Sequence, residues 1–397
     1  MGGVLSVFAI GLFTLLLAGL TAWGLTPSVI RLAHVLGAVD QPGHRKVHQA
    51  PMPRIGGVAV FAGVAVGLIF VRWTAGTYSP ELANSARVLG LTAGGMFLLG
   101  LLDDIRGVAF GWKFAGQIAA AVVAWAGGFR IDMISLPLSS HVYALDLLSL
   151  PLTVLWIVGI TNAVNLIDGL DGLAAGTALI TTVAVAASAV FRGHIGVLAV
   201  SVALVGSLLG FLRWNFRPAR IFLGDSGSLF LGFLLAVISI RGSQKGSTVV
   251  AVLAPILLLA LPIADTGLAV LRRSYGLLAA GSRSPEGVRH IARNLTVVFR
   301  PDQGHIHHQL VARGLGHRQV VLVLYAVASL SALVALGDVW VNSPVLAQLL
   351  AGALVVTSVL FLGGVYLGRR RRLRASRGSV APRVAPGVAR AADAESR

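Results

Sequence analysis

The feature that most constrains this chain is a series of long apolar segments without charged side chains, the first of them near residues 4–25. Segments of about 17 residues or more are long enough to cross the hydrocarbon core of a membrane as helices. Of the 397 residues, 56% are hydrophobic and only 12% are charged, whereas soluble domains carry about 25% charged residues. The sequence therefore predicts an all-α, polytopic integral membrane protein.

The apolar segments predict about eleven membrane-spanning helices within one domain, residues 1–368. We place them near 4–25, 56–71, 88–102, 114–129, 147–161, 173–191, 195–212, 227–240, 248–271, 319–336 and 345–367. Between two of them, residues 130–146 alternate in polarity as strands do, which predicts a small hairpin. The tail, residues 369–397, is rich in Arg, Ala and Pro, and we expect it to be disordered.

Basic residues are distributed unevenly between the two sides of this arrangement. One side, which includes residues 26–55, 272–318 and the tail, holds 26 Lys and Arg residues, and the other holds 6. The positive-inside rule makes the first side cytoplasmic, with the N-terminus outside and the C-terminus inside. The net charge of +17 is then explained by topology, and no nucleic-acid partner is predicted. The absence of cysteine excludes disulfides and cysteine metal sites.

Acidic side chains cluster at the predicted cytoplasmic ends of the helices. They are Asp103, Asp104, Asp168, Asp171, Asp225 and Asp265. Charged groups inside a membrane are costly and usually functional. A transporter typically places its polar groups near the middle of the bilayer, on broken helices. Acids gathered at one interface instead indicate chemistry at the inner surface of the membrane.

The stretch "GLLDDIRG" (100–107) ends the third predicted span with two adjacent acids, Asp103 and Asp104. Neighbouring residues on a helix point about 100° apart, so the two carboxylates are poorly arranged to chelate one ion. We expect one to face a metal or substrate and the other to act as a base or a structural contact. A solvated helix end is the simpler alternative.

The stretch "NAVNLIDGLDGLAAG" (162–176) places a polar residue at every third position. These residues are Asn162, Asn165, Asp168 and Asp171. That spacing gives a slanting stripe on an α-helix and an aligned row in a 3₁₀ turn. The intervening glycines permit tight turning or close backbone approach. A capped helix–loop junction is the alternative, although four polar residues in register exceed what capping needs.

Asp225 lies in "FLGDSGSLFLG" at the start of another predicted span. Backbone N–H groups at a helix N-terminus attract phosphate, but a carboxylate at the same place repels it unless a divalent cation joins the two. The pattern therefore predicts a Mg²⁺ site, with Mn²⁺ as a substitute, in which carboxylate and phosphate oxygens are the ligands. A simple Asp/Ser helix cap remains the alternative.

Two predicted inner loops carry basic and histidine side chains. The loop 40–57 contains Lys46, His48 and Arg54, and "GHIHHQL" (304–310) contains a histidine cluster. The cluster consists of His305, His307 and His308. Zinc binding is disfavoured because no second ligand pair is evident, and phosphate contact or proton handling is favoured. For the first loop, a purely topogenic role is the alternative.

These stretches, in this order, resemble the polyprenyl-phosphate N-acetylhexosamine-1-phosphate transferase family (MraY/WecA-like). The matching residues are "DQPGHRKVHQAPMPRIGG", "LLDDI", "NAVNLIDGLDGLAAG", "FLGDSGSLFLG", "PIADTGLAVLRR" and "HIHH". Two departures stand out: Gly107 replaces a third acid after Asp103 and Asp104, and an additional segment near 283–298 borders the expected sugar-recognition loop.

The resemblance implies roles for individual residues. Asp225 is the implied main Mg²⁺ ligand with Asp104 beside it, and Asp103 is the implied base for the lipid phosphate. Further implied catalytic residues are Asp104, Asp168, His307 and His308. Implied substrate-binding residues are Asn165, Asp171, Asn215, Phe222, Lys46, His48, Arg54 and His305.

The resemblance also implies an activity, a Mg-dependent phosphoglycosyl transferase of the bacterial cytoplasmic membrane. The expected reaction moves N-acetylglucosamine 1-phosphate from a UDP-sugar to undecaprenyl or another polyprenyl phosphate, releases UMP and starts a lipid-linked cell-envelope glycan. The alternatives are the phospho-N-acetylmuramoyl-pentapeptide transferase of peptidoglycan synthesis and, more remotely, a membrane transporter. A covalent two-step mechanism and a homodimer are left open.

Overall fold

The computed structural model describes residues 2–41, 51–74, 80–135, 142–243 and 306–340, together with scattered positions between 256 and 274. The chain divides into two compact units, Met1–Leu354 and Val355–Arg397. Every described residue belongs to the first unit. The described residues end at 340, so the predicted span 345–367 and the predicted tail lie outside them. Most of the predicted span 248–271 does so as well.

The described residues form a bundle of helices. They are α1 (Gly2–Val35), α2 (Gly57–Thr74), α3 (Pro80–Arg106), α4 (Phe110–Ala126), α5 (Ser149–Ile167), α6 (Leu173–Arg192), α7 (Ile195–Asn215), α8 (Gly224–Ser243), α9 (Ile306–Val311) and α10 (His317–Trp340). Among them, 8 helices are long and apolar enough to cross a membrane. The prediction of an all-α polytopic membrane protein is confirmed, while the total of eleven spans and the orientation of the termini stay predictions.

Two short antiparallel pairs of strands connect the helices. β1 (Val39–Asp40) pairs with β2 (Met52–Pro53), and β3 (Met133–Ser135) pairs with β4 (Val142–Ala144). The second pair lies within residues 130–146, where the sequence predicts a hairpin, and confirms it. The first pair brings the two ends of the loop that contains Lys46 and His48 together.

Helix α8 is the centre of the bundle. It packs against α3 and α5 and also contacts α2, α6 and α7, and every residue from 226 to 240 is buried. Small residues permit this close approach, as is common between membrane helices. A Cβ added at Gly100 of α3 would overlap the carbonyl oxygen of Asp225. The first turn of α8 is therefore fixed in place by its neighbours.

The segment that enters α2 also holds the segment that enters α8. The backbone N–H of Phe222 donates to the carbonyl of Pro53 at 2.8 Å, and those of Gly56 and Gly57 donate to the carbonyls of Phe222 and Leu223 at 3.0 and 2.8 Å. We call this paired backbone, residues 53–57 and 222–224, the strap. It ties the loop that contains Arg54 to the start of α8.

The direction of the helices defines two ends for this part of the bundle. The end of α3, the start of α4, the end of α5 and the start of α8 lie together, and we call this region the acid end. The start of α3, the end of α4, the start of α5, the end of α8 and the β3–β4 hairpin form the opposite region, the hairpin end. All side chains of the site described next lie at the acid end.

Candidate active site

Asp225 lies in the first turn of α8 and is contacted from two other helices. Its Oδ1 accepts a hydrogen bond of 2.7 Å from Nδ2 of Asn165, at the end of α5. Its Oδ2 accepts a hydrogen bond from the ammonium of Lys113, at the start of α4. Asn165 also donates to the hydroxyl of Ser228 at 2.7 Å. The structure thus brings Asn165 and Asp225, both predicted site residues, into direct contact.

Lys113 joins Asp225 to Asp103. Its Nζ lies 2.8 Å from Oδ2 of Asp103, so a single ammonium bridges the carboxylates of α3 and α8. The other oxygen of Asp103 accepts the backbone N–H of Val108 at 2.6 Å. Both carboxylate groups are only partly exposed to solvent, which makes the ion pairs stronger than pairs in bulk water.

Sequence reasoning missed Lys113. A lone lysine at the start of an apolar helix looks like a topological anchor. The signal that could have found it is its place in "FGWKFAGQ", on the same predicted side of the membrane as "LLDDI" and separated from it by one short turn. Two acids and a lysine at adjacent helix ends are close enough to pair.

Asp104 caps α8. Its side chain is buried, and its two oxygens accept the backbone N–H groups of Asp225 and Ser226, both at 2.9 Å. A carboxylate at this place satisfies N–H groups that have no partner within the helix and interacts favourably with the helix dipole. The observed role of Asp104 is to hold the start of α8, and its predicted roles in metal binding and catalysis stay predictions.

Arg54 supports the same helix end from the strap. Its Nε and Nη2 donate to the backbone carbonyl of Asp104, at 3.0 and 2.6 Å. This guanidinium therefore fixes the C-terminal end of α3 rather than lying free in a loop. Contact of Arg54 with substrate stays a prediction.

The conformation and packing at position 224, in the stretch "FLGD", require glycine. Its φ is +73°, in the left-handed region, and a Cβ at this position would overlap the carbonyl oxygen of Arg54 and lie 2.6 Å from Oδ2 of Asp104. No L side chain fits such a position without displacing the cap. The residue before Asp225 is thus determined by the close meeting of the strap, α3 and α8.

Asp168 also reaches the start of α8, because its carboxylate accepts the backbone N–H of Gly224. Desolvation raises the pKa of Asp168 to about 8, and the nearby negative charges of Asp225 and Asp104 contribute to the rise. A carboxyl group whose pKa lies near neutrality can take up or release a proton under physiological conditions. This is consistent with the predicted catalytic role of Asp168, which the structure does not itself test.

The remaining described site residues organise the turn between α7 and α8. Oδ2 of Asp171 accepts the backbone N–H of Ala219 at 3.2 Å. The buried Asn215 donates from Nδ2 to the carbonyl of Ile221 at 2.9 Å, and the backbone of Phe222 belongs to the strap. These contacts place the three residues around one turn beside the acids, and their contact with a nucleoside stays a prediction.

Some predicted site residues cannot be placed relative to the acids. Lys46, His48 and His305 lie outside the described residues. His307 and His308 belong to the described backbone of α9, but their side chains are not among those described. The roles predicted for them in binding and catalysis stay predictions.

Four carboxyl groups meet at the centre of the acid end. Asp103, Asp104, Asp168 and Asp225 meet there, and the ammonium of Lys113 lies between Asp103 and Asp225. Across the described part of the chain, no group of three or more His, Cys, Asp or Glu side chains is placed to hold a metal ion. Mg²⁺ is usually held by one or two carboxylates together with waters and substrate phosphates. The donor set fits a Mg²⁺ ion shared with a phosphate substrate.

The fold and this site define a polytopic helical membrane protein with a carboxylate-rich centre at one end of its bundle. Comparison with known proteins then assigns the family. Residues 86–243, which contain Asp103, Lys113, Asn165 and Asp225, match glycosyl transferase family 4. The protein belongs to this family.

Relatives with known names extend the match beyond that region. The chain is 40% identical over 336 residues to the probable undecaprenyl-phosphate N-acetylglucosaminyl 1-phosphate transferase of Bacillus subtilis, covering 83% of this chain and 84% of the relative. It is 36% identical over 375 residues to the decaprenyl-phosphate N-acetylglucosaminephosphotransferase of Mycobacterium tuberculosis, covering 88% of each. The phospho-N-acetylmuramoyl-pentapeptide-transferase of Halalkalibacterium halodurans is 34% identical over 213 residues, covering 50% of this chain and 64% of the relative.

Proposed function

We propose that this protein transfers N-acetylglucosamine 1-phosphate from UDP-N-acetylglucosamine to a polyprenyl phosphate, with release of UMP. The observation that carries the proposal is the joining of Asp103, Lys113, Asn165 and Asp225 from four helices at one end of a membrane bundle. The names of the relatives that match more than four fifths of the chain support N-acetylglucosamine as the sugar and a polyprenyl phosphate as the acceptor.

The location of the site suits one water-soluble and one lipid substrate. The acid end lies where several apolar helices finish, so a lipid phosphate at the membrane surface and a nucleotide in water could both reach it. The charge asymmetry of the sequence supports the cytoplasmic face for this end. Phosphoryl transfer depends mostly on positioning and on stabilising charge, which a rigidly held centre provides.

In the proposed reaction, an oxygen of the lipid phosphate forms a bond to the β-phosphorus of the UDP-sugar. The bond between that phosphorus and the bridging oxygen breaks, and its electron pair leaves with UMP. Lys113 lies between Asp103 and Asp225 and supplies positive charge where phosphate groups must approach carboxylates. Without such charge, the acids would repel both substrates.

Asp103 and Asp168 are the groups proposed to handle protons. Asp103 is oriented by the N–H of Val108 and by Lys113 and would accept a proton from the lipid phosphate when that group is protonated. The raised pKa of Asp168, to about 8, suits a group that exchanges a proton near neutral pH.

The proposal includes a Mg²⁺ ion, for which Mn²⁺ could substitute. Asp225 would hold it, because its carboxylate is partly exposed at the start of α8, where waters and phosphate oxygens can complete the ligand set. When bound, the ion would polarise phosphate oxygens and neutralise charge on the departing nucleotide. Omitting divalent cations from the assay should abolish turnover, and adding back Mg²⁺ or Mn²⁺ should restore it.

The experiment that tests the proposed function measures UMP release from purified full-length protein in detergent or nanodiscs. The donors are UDP-N-acetylglucosamine and UDP-N-acetylmuramoyl-pentapeptide, each with undecaprenyl or decaprenyl phosphate. We expect UMP release with the first donor only, and release with neither donor contradicts the proposal. Release with the second donor alone would instead indicate the activity named for the Halalkalibacterium halodurans relative, a phospho-N-acetylmuramoyl-pentapeptide-transferase.

The same preparation distinguishes two chemical routes. Direct attack by the lipid phosphate requires the lipid before any UMP forms. A route through a phospho-sugar covalently bound to an aspartate would instead exchange labelled UMP into the UDP-sugar without lipid. We expect strict dependence on lipid, because Asp103 and Asp225 are both bound to Lys113 and Asp104 is used as a cap.

A further inference from the structure

The contact between α4 and α5 contains a pair of side-chain amides, a buried one from Gln117 and a half-buried one from Asn162. Nδ2 of Asn162 donates to Oε1 of Gln117 at 2.5 Å, and Nε2 of Gln117 lies 3.4 Å from Oδ1 of Asn162. Nδ2 of Asn162 also donates to the carbonyl of Val158 at 2.8 Å. Gln117 is 2% exposed. Neither residue is among the groups assigned to substrate or metal above, although Asn162 begins the row of polar residues in 162–176.

The amide pair lies one helical turn from the charged centre on both helices. Gln117 follows Lys113 by four residues on α4, and Asn162 precedes Asn165 by three on α5. Residues at these spacings share a helix face. Lys113 and Asn165 bind the two different oxygens of Asp225. A shift at the amide pair would therefore be transmitted to both partners of that carboxylate.

The amide pair joins α4 to α5 near the acid end, whereas the hydrogen bond from the indole of Trp125 to Ser149 joins the two helices at the hairpin end. Helix α4 packs chiefly against α3 and α5, and its buried residues are Gln117, Ala121 and Ala124. Alanine methyl groups form a smooth surface that does not determine rotation or register. A hydrogen-bonded amide pair does determine them, because any rotation leaves polar groups without partners in an apolar surrounding.

We propose that Gln117 and Asn162 are positioning residues, whose amide pair sets the register of α4 so that Lys113 meets Asp103 and Asp225. This inference rests on the proposed function, because that function makes the geometry of Lys113 matter. Neither residue touches the reacting groups. The pair acts through Lys113 and Asn165.

The test compares three variants of the full-length protein in the UMP-release assay. Gln117→Leu and Asn162→Leu each remove one amide at similar side-chain size. The double variant Gln117→Asn with Asn162→Gln keeps both amides and exchanges their lengths. We expect each single variant to lose about 10- to 100-fold in kcat, because small displacements of catalytic groups cost that much. KM for the UDP-sugar should change by less than about twofold, and the exchanged pair should recover most of kcat.

Ser239→Ala is the matched control. Ser239 is buried and its hydroxyl accepts the indole N–H of Trp156, which joins α5 to α8 at the hairpin end. Its removal takes away a buried contact of α5 in which neither Gln117 nor Asn162 takes part. We expect kcat of this variant to equal that of the original protein, while the melting temperatures of all variants report separately on folding.

The outcomes separate this inference from the proposed function. Absence of UMP release by the unchanged protein contradicts the proposed function. An active protein whose Gln117→Leu and Asn162→Leu variants keep full kcat overturns the positioning role. A folded exchanged pair whose kcat stays 10- to 100-fold below that of the unchanged protein, roughly the loss expected of the single variants, overturns it too, even if a single variant fails to fold.

Discussion

The two ends of the helix bundle both carry polar networks, but they use them differently. At the hairpin end, Nε of Arg130 lies 2.9 Å from Oδ2 of Asp132, and the hydroxyl of Ser149 donates to Oδ1 of the same residue at 3.1 Å. The indole of Trp125 donates to Ser149 at 3.0 Å. The carboxylate of Asp132 there meets one base and one hydroxyl, and that hydroxyl accepts the indole N–H.

At the acid end, several carboxyl groups meet around one ammonium. Asp103 and Asp225 share Lys113, and Asp104 and Asp168 are satisfied by backbone N–H groups of α8. Such an arrangement is stabilising only while donors are held rigidly around the carboxylates. The comparison teaches that a polar network alone does not mark a site. What distinguishes the acid end is a group of carboxyls held on a fixed frame around one ammonium.

The strongest test of this comparison removes a carboxylate from each end. Asp225→Asn keeps the shape of the side chain but removes the charge that would hold Mg²⁺, and we expect kcat to fall by on the order of 10³-fold or more. Asp132→Asn at the hairpin end is the control, and its kcat should match that of the unchanged protein. Near-normal UMP release by Asp225→Asn would show that this carboxylate is not the centre of the site.

A second test removes the shared cation. Lys113→Met keeps the length of the side chain and leaves Asp103 and Asp225 facing each other without the ammonium. We expect kcat to fall by about 100-fold. Arg130→Met, which removes the base of the exposed pair at the hairpin end, should leave kcat unchanged, because such pairs contribute about 0–1 kcal/mol to stability. Equal effects of the two changes would remove the distinction between the ends.

A third test uses the close approach of α3 and α8. Gly100→Ala would place a methyl group against the carbonyl of Asp225, and we expect kcat to fall by about 10- to 100-fold through displacement of that residue. Gly94→Ala on the same helix meets nothing within 4 Å and should keep full activity. Kinetic parameters and melting temperature of both variants check this, and an active Gly100→Ala enzyme would contradict a rigid frame.

The smallest expected effect concerns the edge of the acid end. The hydroxyl of Tyr325 on α10 donates to the carbonyl of Gly172 at 2.5 Å, just after Asp171. Tyr325→Phe keeps the ring and removes this bond, and we expect a loss of about 1 kcal/mol in stability with kcat within about threefold. Thermal unfolding and UMP release measure both. Tyr143→Phe, an exposed tyrosine of β4, should change neither.

Much of the architecture follows from the sequence alone. Apolar runs indicate where helices span a membrane, because a helix satisfies its own backbone hydrogen bonds there. The alternation in 130–146 predicts the β3–β4 hairpin, and the acids at predicted helix ends do lie together at one end of the bundle. Asp225 and Asn165 lie together as their motifs suggest.

Other features depend on which helices pack together and in which register. The hydrophobic periodicity of a single segment does not contain this information. The sequence does not show that Asp104 points at the first N–H groups of α8, because this depends on the register between α3 and α8. Lys113 is indistinguishable from a topological anchor until α4 is placed between α3 and α5. Gln117 looks like an isolated polar residue in an apolar helix until Asn162 is seen opposite it.

The strap has a consequence for how the protein is made. Its two strands of backbone, residues 53–57 and 222–224, are separated by roughly 165 residues of chain. At about 5–20 residues per second, the second strand leaves the ribosome on the order of ten to thirty seconds after the first. During that interval the carbonyls of Phe222 and Leu223 are absent, so the N–H groups of Gly56 and Gly57 must bond to water or to lipid head groups. Until α8 has been synthesised, the inserted helices lack Asp225 and its contacts with Lys113 and Asn165.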